Sequence, residues 1–423
     1  MDRHQVFCLK ASPRSNAHAL IAQATRGGKT ATMLGLIRAV LKAYEKPDLP
    51  WRIGLIAIDG KSDLAAPLSG IAHHPAILAP PLSFEPSNPY PTVYFLTALY
   101  IAMENRSQAH QWLTRIWRLM KEKAPRDLER IIRMMGGEDP DLSAKPTALE
   151  TLASLIPNYA MVLVMIDEYW GIKENIEQTV KTISVRLDDE KKPVKVPAGD
   201  VVNNVLLQVM LKGASAGFIM WFATQSPRKD AVDHPAIRDN ANVFRGNGVS
   251  PILVQSLLTE AMKTQEAILG QAYQVGGGKL QLPPRYSWAV YMRGDGYGMW
   301  DGKRFTGGGS ELNGSFYAVD VVYPPLVMPG DLPSHAREWG LDHRATALAH
   351  LVRWAGEHMK PEEIPACLRP VLEMEDPILG VREFCKLTLG CRVDMDWMIR
   401  LGQQGIVSIA RLISGVTLEK EEE

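Results

Sequence analysis

Lys29 and Thr30 close the run Ala19-Leu-Ile-Ala-Gln-Ala-Thr-Arg-Gly-Gly-Lys-Thr30, whose residue types suit one chemistry, the gripping of nucleotide phosphates. Backbone N–H groups of Thr25, Arg26, Gly27, Gly28, Lys29 and Thr30 can wrap an oxyanion, the Lys29 ammonium can reach the outer phosphates, and the Thr30 hydroxyl can hold Mg²⁺. Gly27 and Gly28 keep side chains off that approach. The first glycine of the GxxxxGK[ST] spacing is Gln23 here, whose Cβ restricts a tight turn. A second run, residues 159–166, is unbroken apolar sequence ending in Asp167-Glu168. That is the pattern of a central parallel strand buried on both faces. Ligands of open α/β sheets bind at the carboxyl ends of such strands, so Asp167 is expected to hold Mg²⁺ and Glu168 to polarise the attacking water. A third apolar run from Phe218 ends in Thr224-Gln225, where Gln225 can sense the γ phosphate. Lys29, Glu168 and Gln225 are the expected catalytic residues, with ATP and Mg²⁺ as cofactors. Lys29 is expected to point into a solvent-filled phosphate site that the fold does not need.

These side chains meet only if several parallel strands end together, which requires an α/β sheet. The chain has 423 residues, 46% of them hydrophobic, enough for one large α/β core and a smaller unit. A strand at 19–22, a helix at 29–44 and a strand at 53–59 form the first unit. Prolines at 75, 80, 81, 86, 89 and 91 then mark an extended connection. It leads to a helical region at about 93–135, within an insertion spanning about 90–156. A helix is expected at about 251–272 and strand pieces at 288–292 and 316–322. The proline-rich stretch 323–333 reads as a stiff linker, dividing a motor domain at 1–325 from a C-terminal helical domain at 326–423. In that second domain apolar residues at 348, 351, 352, 355 and 359 recur at helical spacing, a packing face. No apolar run reaches the ~20 residues of a membrane span, and with no signal peptide visible the expected location is the cytoplasm. Four cysteines without CxxC spacing indicate neither a zinc site nor a disulfide framework.

The segments "MVLVMIDEYW", "MLKGASAGF" and "IMWFATQSP" together resemble the FtsK/SpoIIIE branch of the HerA-FtsK DNA translocases. So do "IGLIAIDGKSDL", where that family has a strand ending in Asp-Pro-Lys, and "AIRDNANVFR", where it has Ile-Arg-x-Asn. The resemblance covers roughly residues 15 to 300. It departs at Gln23, at Gly60 in place of the proline, and in a longer stretch between the first two nucleotide motifs. It implies a RecA-like P-loop NTPase core with a central, largely parallel sheet, and ATP hydrolysis coupled to translocation of double-stranded DNA through a hexameric ring. It also implies an arginine acting on the neighbouring subunit's nucleotide, for which Arg228, Arg238 and Arg245 are the candidates. A winged-helix module is one alternative for the C-terminal unit, with residues 397–412 as its helix and following strand. A helical packing or partner-binding unit is the other.

The formal charge is zero, with 36 Lys and Arg against 31 Asp and Glu in residues 1–330 and 11 against 16 beyond. A broad DNA-gripping surface carries a far larger excess, so any grip is local. Lys173, Lys181, Arg186, Lys191, Lys192 and Lys195, among Pro193 and Pro197, form the candidate, a loop or hairpin that the resemblance places in the pore. An ordinary solvated loop explains them equally well. Arg115, Arg118, Arg126, Arg130 and Arg133 read as an exposed helical face or a partner surface. The expected function is a soluble DNA translocase of plasmid or mobile-element transfer. The alternatives are a terminase-like packaging ATPase using Arg26, with Asp320 as the one hint of a nuclease, and a non-hydrolysing nucleotide-binding clamp blunted by Gln23.

Overall fold

The three apolar runs become neighbouring strands of one sheet. The computed structural model describes residues 6–9, 17–24, 28–45, 52–134, 159–187, 192–225, 235–246, 248–249, 258, 263, 274–275, 279–281, 288–291, 297–300, 305–306, 316–319, 329–335 and 343–414. The strands are β1 (Val6–Leu9), β2 (Ala19–Ala22), β3 (Arg52–Asp59), β4 (Leu82–Ser83), β5 (Ala160–Asp167), β6 (Thr182–Val185), β7 (Val194–Pro197), β8 (Phe218–Thr224) and β9 (Asn242–Gly246). They continue with β10 (Gln274–Val275), β11 (Lys279–Leu280), β12 (Trp288–Tyr291), β13 (Tyr297–Trp300), β14 (Phe305–Thr306) and β15 (Phe316–Val319). The main sheet runs β15-β12-β9-β2-β8-β5-β3-β4. Its six strands from β9 to β4 are parallel, while β12 and β15 join antiparallel at one edge. The fold is thus mixed α/β with a RecA-like P-loop core and helices at the C-terminus. Smaller antiparallel groups are β1-β13-β14, β10-β11 and the β6-β7 hairpin.

Every residue of β5 and β8 is buried, as their uninterrupted apolar sequences require of strands covered on both faces. Alternation sends Met161, Leu163 and Met165 to one hydrophobic core and Val162, Val164 and Ile166 to the other. Register brings Ala22 level with Thr224, and Asp59 level with Asp167. The motif-bearing residues therefore emerge along one rim. At the opposite rim His18 fastens three strands. Its Nδ1 accepts from the Met220 N–H (3.0 Å), and its carbonyl accepts from both the backbone and side-chain N–H groups of Asn242 (2.9 Å each). Burial lowers the His18 pKa to about 4, so the ring stays neutral and remains an acceptor.

The first core is covered by α1 (Lys29–Ala43) and the second by α5 (Tyr169–Thr179) and α6 (Ala198–Lys212), with α2 (Ala65–Ser69) and α7 (Pro235–Asn240) in connections. A helix of 34 residues, α3 (Tyr90–Lys123), serves both cores. Val93, Phe95, Leu96 and Leu99 belong to the second core, and Trp112, Leu113, Ile116 and Met120 to the first. Its midpoint, Arg106, crosses below the amino ends of the strands. There the buried guanidinium donates to the carbonyls of Thr388 (2.7 Å), Leu389 (2.9 Å) and Ala216 (3.3 Å) and lies against the rings of Tyr159 and Phe218. After α3 comes α4 (Pro125–Met134), which buries Leu128 and Ile131 and exposes Arg126, Arg130 and Arg133.

C-terminal helices α8 (His343–His358), α9 (Arg369–Glu373) and α10 (Pro377–Leu387) pack into the first core, and α11 (Met395–Ser414) into the second. Full burial of one such apolar side chain is worth about 1.5–3 kcal/mol. Met398, Leu401, Ile406 and Ile409 on α11 are all buried, a gross gain comparable with a domain's net stability of about 5–15 kcal/mol. These helices share the two hydrophobic cores of the sheet. Residues 397–412, one alternative for which was a helix and a following strand, form one continuous helix. Gly402 and Gly405 let the α11 backbone reach that of α3, so that a Cβ at either would overlap the Tyr94 or Thr97 carbonyl, and the Thr97 hydroxyl donates to Gly402 O (2.8 Å). Of the helix expected at 251–272 only residues 258 and 263 are described, and Asp320 lies outside the described residues.

Candidate nucleotide site

The helix after the glycine turn starts at Lys29, where the sequence placed it. Gly28 precedes α1 with φ 92°, a left-handed conformation that a side chain disfavours, and Lys29 and Thr30 occupy the first turn. Thr32 bonds back to the Gly28 carbonyl through both N–H (3.0 Å) and hydroxyl (3.1 Å). Thr25, Arg26 and Gly27 lie outside the described residues. Gln23 N–H donates to Thr224 O (3.2 Å), holding the end of β2 to β8. The Gln23 side chain is buried against Gly246 at the end of β9, and a Cβ on Gly246 would fall within its carboxamide. The missing loop glycine is thus matched by a glycine two strands from β8, and Gln23 fills the space.

Lys29 is only 7% exposed, because its ammonium has folded onto the acids of β5. It lies 2.6 Å from Asp167 Oδ1 and in contact with Glu168 Oε1. This differs from a side chain pointing into a solvent-filled site. The buried Asp167 and the half-buried Glu168 beside it attract a cation, and Lys29 pairs with both. Burial pushes the Asp167 carboxyl above its ordinary value, Lys29 pulls it down, and Glu168 and Asp59 push it up again. Asp167 Oδ2 is buried with no hydrogen-bond partner among the described residues. A buried carboxylate oxygen without a partner fits a divalent cation, and Asp167 with the Thr30 hydroxyl would hold Mg²⁺ there. Glu168 adopts φ 51° and ψ 40°, unusual for a residue with a side chain and characteristic of functional positions.

Asp59, level with Asp167 on the next strand, is fully buried, and its carboxylate accepts from the N–H groups of Lys61 (2.9 Å), Leu64 (2.5 Å) and Ala65 (2.8 Å). It shapes the following loop. Lys61 on that loop reaches Glu168 Oε1 at 3.3 Å. The sequence reading compared "IDGKSD" with the Asp-Pro-Lys segment without giving Lys61 a role; that cation two residues beyond a strand-end Asp was the available signal. Arg106 gave no such signal, since its partners lie 110 and 282–283 residues away.

Gln225 follows β8 at the same rim, half-buried between the phosphate-loop strand and the acid-bearing strand. The other expected residues are scattered. Arg245 is buried, with Nε and Nη2 donating to Val249 O at 3.0 and 2.6 Å. Arg228 and the side chain of Arg238 lie outside the described residues, as does Lys191. Lys173 is buried on α5, 3.6 Å from Glu177 and near the Trp170 ring. Lys181, Arg186, Lys192 and Lys195 are exposed along the β6-β7 hairpin, whose Ile183, Val185 and Val196 face the core.

Among the described residues no helix is long and apolar enough to cross a membrane. No family model and no curated protein matches the chain. Solved structures that are similar to it include two ATPases. One is the cytoplasmic domain of the Thermomonospora curvata type VII secretion ATPase EccC, at 15% identity and a TM-score of 0.35, covering 57% of this chain and 22% of that one. The other is EssC (ATPases 2 and 3) from Geobacillus thermodenitrificans, at 14% identity and a TM-score of 0.34, covering 65% and 37%. The chain spans well under half the length of either, and the functional reading rests on the atoms of the site itself.

Proposed function

We propose that the chain is a Mg²⁺-dependent ATPase whose hydrolysis drives translocation of double-stranded DNA, acting as a ring of identical subunits. The observation that carries the ATPase reading is the meeting of Lys29, Asp167 and Glu168 at the carboxyl rim of a parallel sheet, with the Asp167 Oδ2 oxygen left for a cation. Lys29 moves from the acids to the β and γ phosphates when nucleotide enters. Thr30 and Asp167 would hold Mg²⁺, which when bound neutralises charge on the phosphate oxygens. Glu168 then accepts the proton of a water that attacks the γ phosphorus; the bond to the bridging oxygen breaks, giving ADP and phosphate. Gln225, on the strand between Lys29 and Glu168, contacts the γ phosphate and reports its loss.

DNA as the moved polymer is supported by the resemblance in the motif segments and by the exposed Lys181, Arg186, Lys192 and Lys195. The hairpin that carries them is joined to Glu168 by α5 alone, a short rigid link from the base to the cations. Steady-state ATP turnover with and without duplex DNA tests this. Stimulation by duplex that is weakened when Lys181, Arg186, Lys192 and Lys195 are changed to Gln supports it. Turnover indifferent to DNA removes the translocase, and no turnover under either condition leaves a nucleotide-binding clamp.

A further inference from the structure

Two cations, not one, reach the same carboxylate oxygen. Lys29 comes to Glu168 Oε1 from the β2 side of β5, and Lys61 comes from β3, on the other side, at 3.3 Å. Phosphate chemistry requires only the first. The loop that delivers the second is closely determined. Gly60 N–H donates to Asp167 O (3.1 Å), and a Cβ at Gly60 would stand 3.0 Å from Glu168 Cβ, so the two strand ends touch. The Asp59 carboxylate fixes the N–H groups of Lys61, Leu64 and Ala65, and Ser62 turns the chain with φ 66°.

We propose that Lys61 is a positioning residue for Glu168, holding its carboxylate in place once Lys29 has left for the phosphates. The inference rests on the ATPase reading above. Glu168 is 12% exposed, and a carboxylate so poorly solvated needs a cation partner at every stage. Lys29 serves two masters and cannot remain. Lys61 is 44% exposed and tethered to β3, so nucleotide entry leaves it where it is. A water-activating base that swings by about 1 Å loses up to about a hundredfold in rate, so a fixed cation on its far side has kinetic value. Were the contact a passing surface pair, its removal would have little effect.

The test uses the full chain with Lys61→Met and Lys61→Arg, measuring steady-state turnover together with equilibrium binding of a fluorescent ATP analogue. Lys61→Met is expected to lower kcat by about tenfold or more, to leave KM and analogue affinity within about twofold, and to cause no further loss in a Glu168→Gln background. Lys61→Arg restores most of the rate. Unchanged or faster turnover in Lys61→Met overturns the assignment, as does a loss that appears in binding or that persists on top of Glu168→Gln. Absence of turnover in the unaltered protein is a different result, since it defeats the ATPase reading itself.

Discussion

At the scale of the residue, Lys29 pairs with Asp167 and Glu168 in the structure, and the proposed function also needs it on the phosphates. Lys29→Ala is therefore expected to abolish hydrolysis and also to leave the buried Asp167 without its cation, at a cost of about 3 kcal/mol in stability. Denaturant unfolding should show that loss, recovering when Asp167→Asn is added or when Mg²⁺ is supplied. A Lys29→Ala protein as stable as the parent would mean that the ion pairs are incidental. The type and spacing of Lys29, Asp167 and Glu168 were legible in the sequence, because each chemistry needs a specific side chain at a strand end. Their mutual contact in the absence of nucleotide was not, because it arises from burial of charge in the folded rim.

Elements in the middle of the sheet were legible almost to the residue. The apolar runs admitted only doubly buried strands, and the observed β3, β5 and β8 lie within one or two residues of those read from the sequence. Of the C-terminal helices, α8 was legible from the helical spacing of residues 348 to 359, while the docking of α11 was not, since nothing periodic in residues 397–412 announces a partner three hundred residues earlier. What settles that docking is the crossing of α11 on α3, where Gly402 and Gly405 remove two side chains and Thr97 bonds across. Gly402→Leu must push the two backbones apart. A loss of about 3 kcal/mol or more is expected in unfolding experiments, with both cores affected because α3 belongs to both. Full stability in that variant would show that α11 can leave the motor without consequence.

The whole molecule has an open end and a closed one. At the amino rim His18, Arg106 and the turn around Thr388 to Gly390 bind strands, α3 and the C-terminal helices into one base, with Ala160 N–H donating to Gly390 O (3.1 Å). At the carboxyl rim Lys29, Asp167, Glu168, Lys61 and Gln225 gather. In the proposed function that rim is where nucleotide binds, and Glu168 is the residue that activates the attacking water. The decisive measurement compares Mg²⁺-dependent ATP turnover and nucleotide affinity in the unaltered chain and in Glu168→Gln. The account predicts measurable turnover in the first, a fall of about 10²–10⁴ in the second, and nucleotide still bound by it with similar or greater affinity. Turnover that survives in Glu168→Gln, or loss of binding together with turnover, would contradict it.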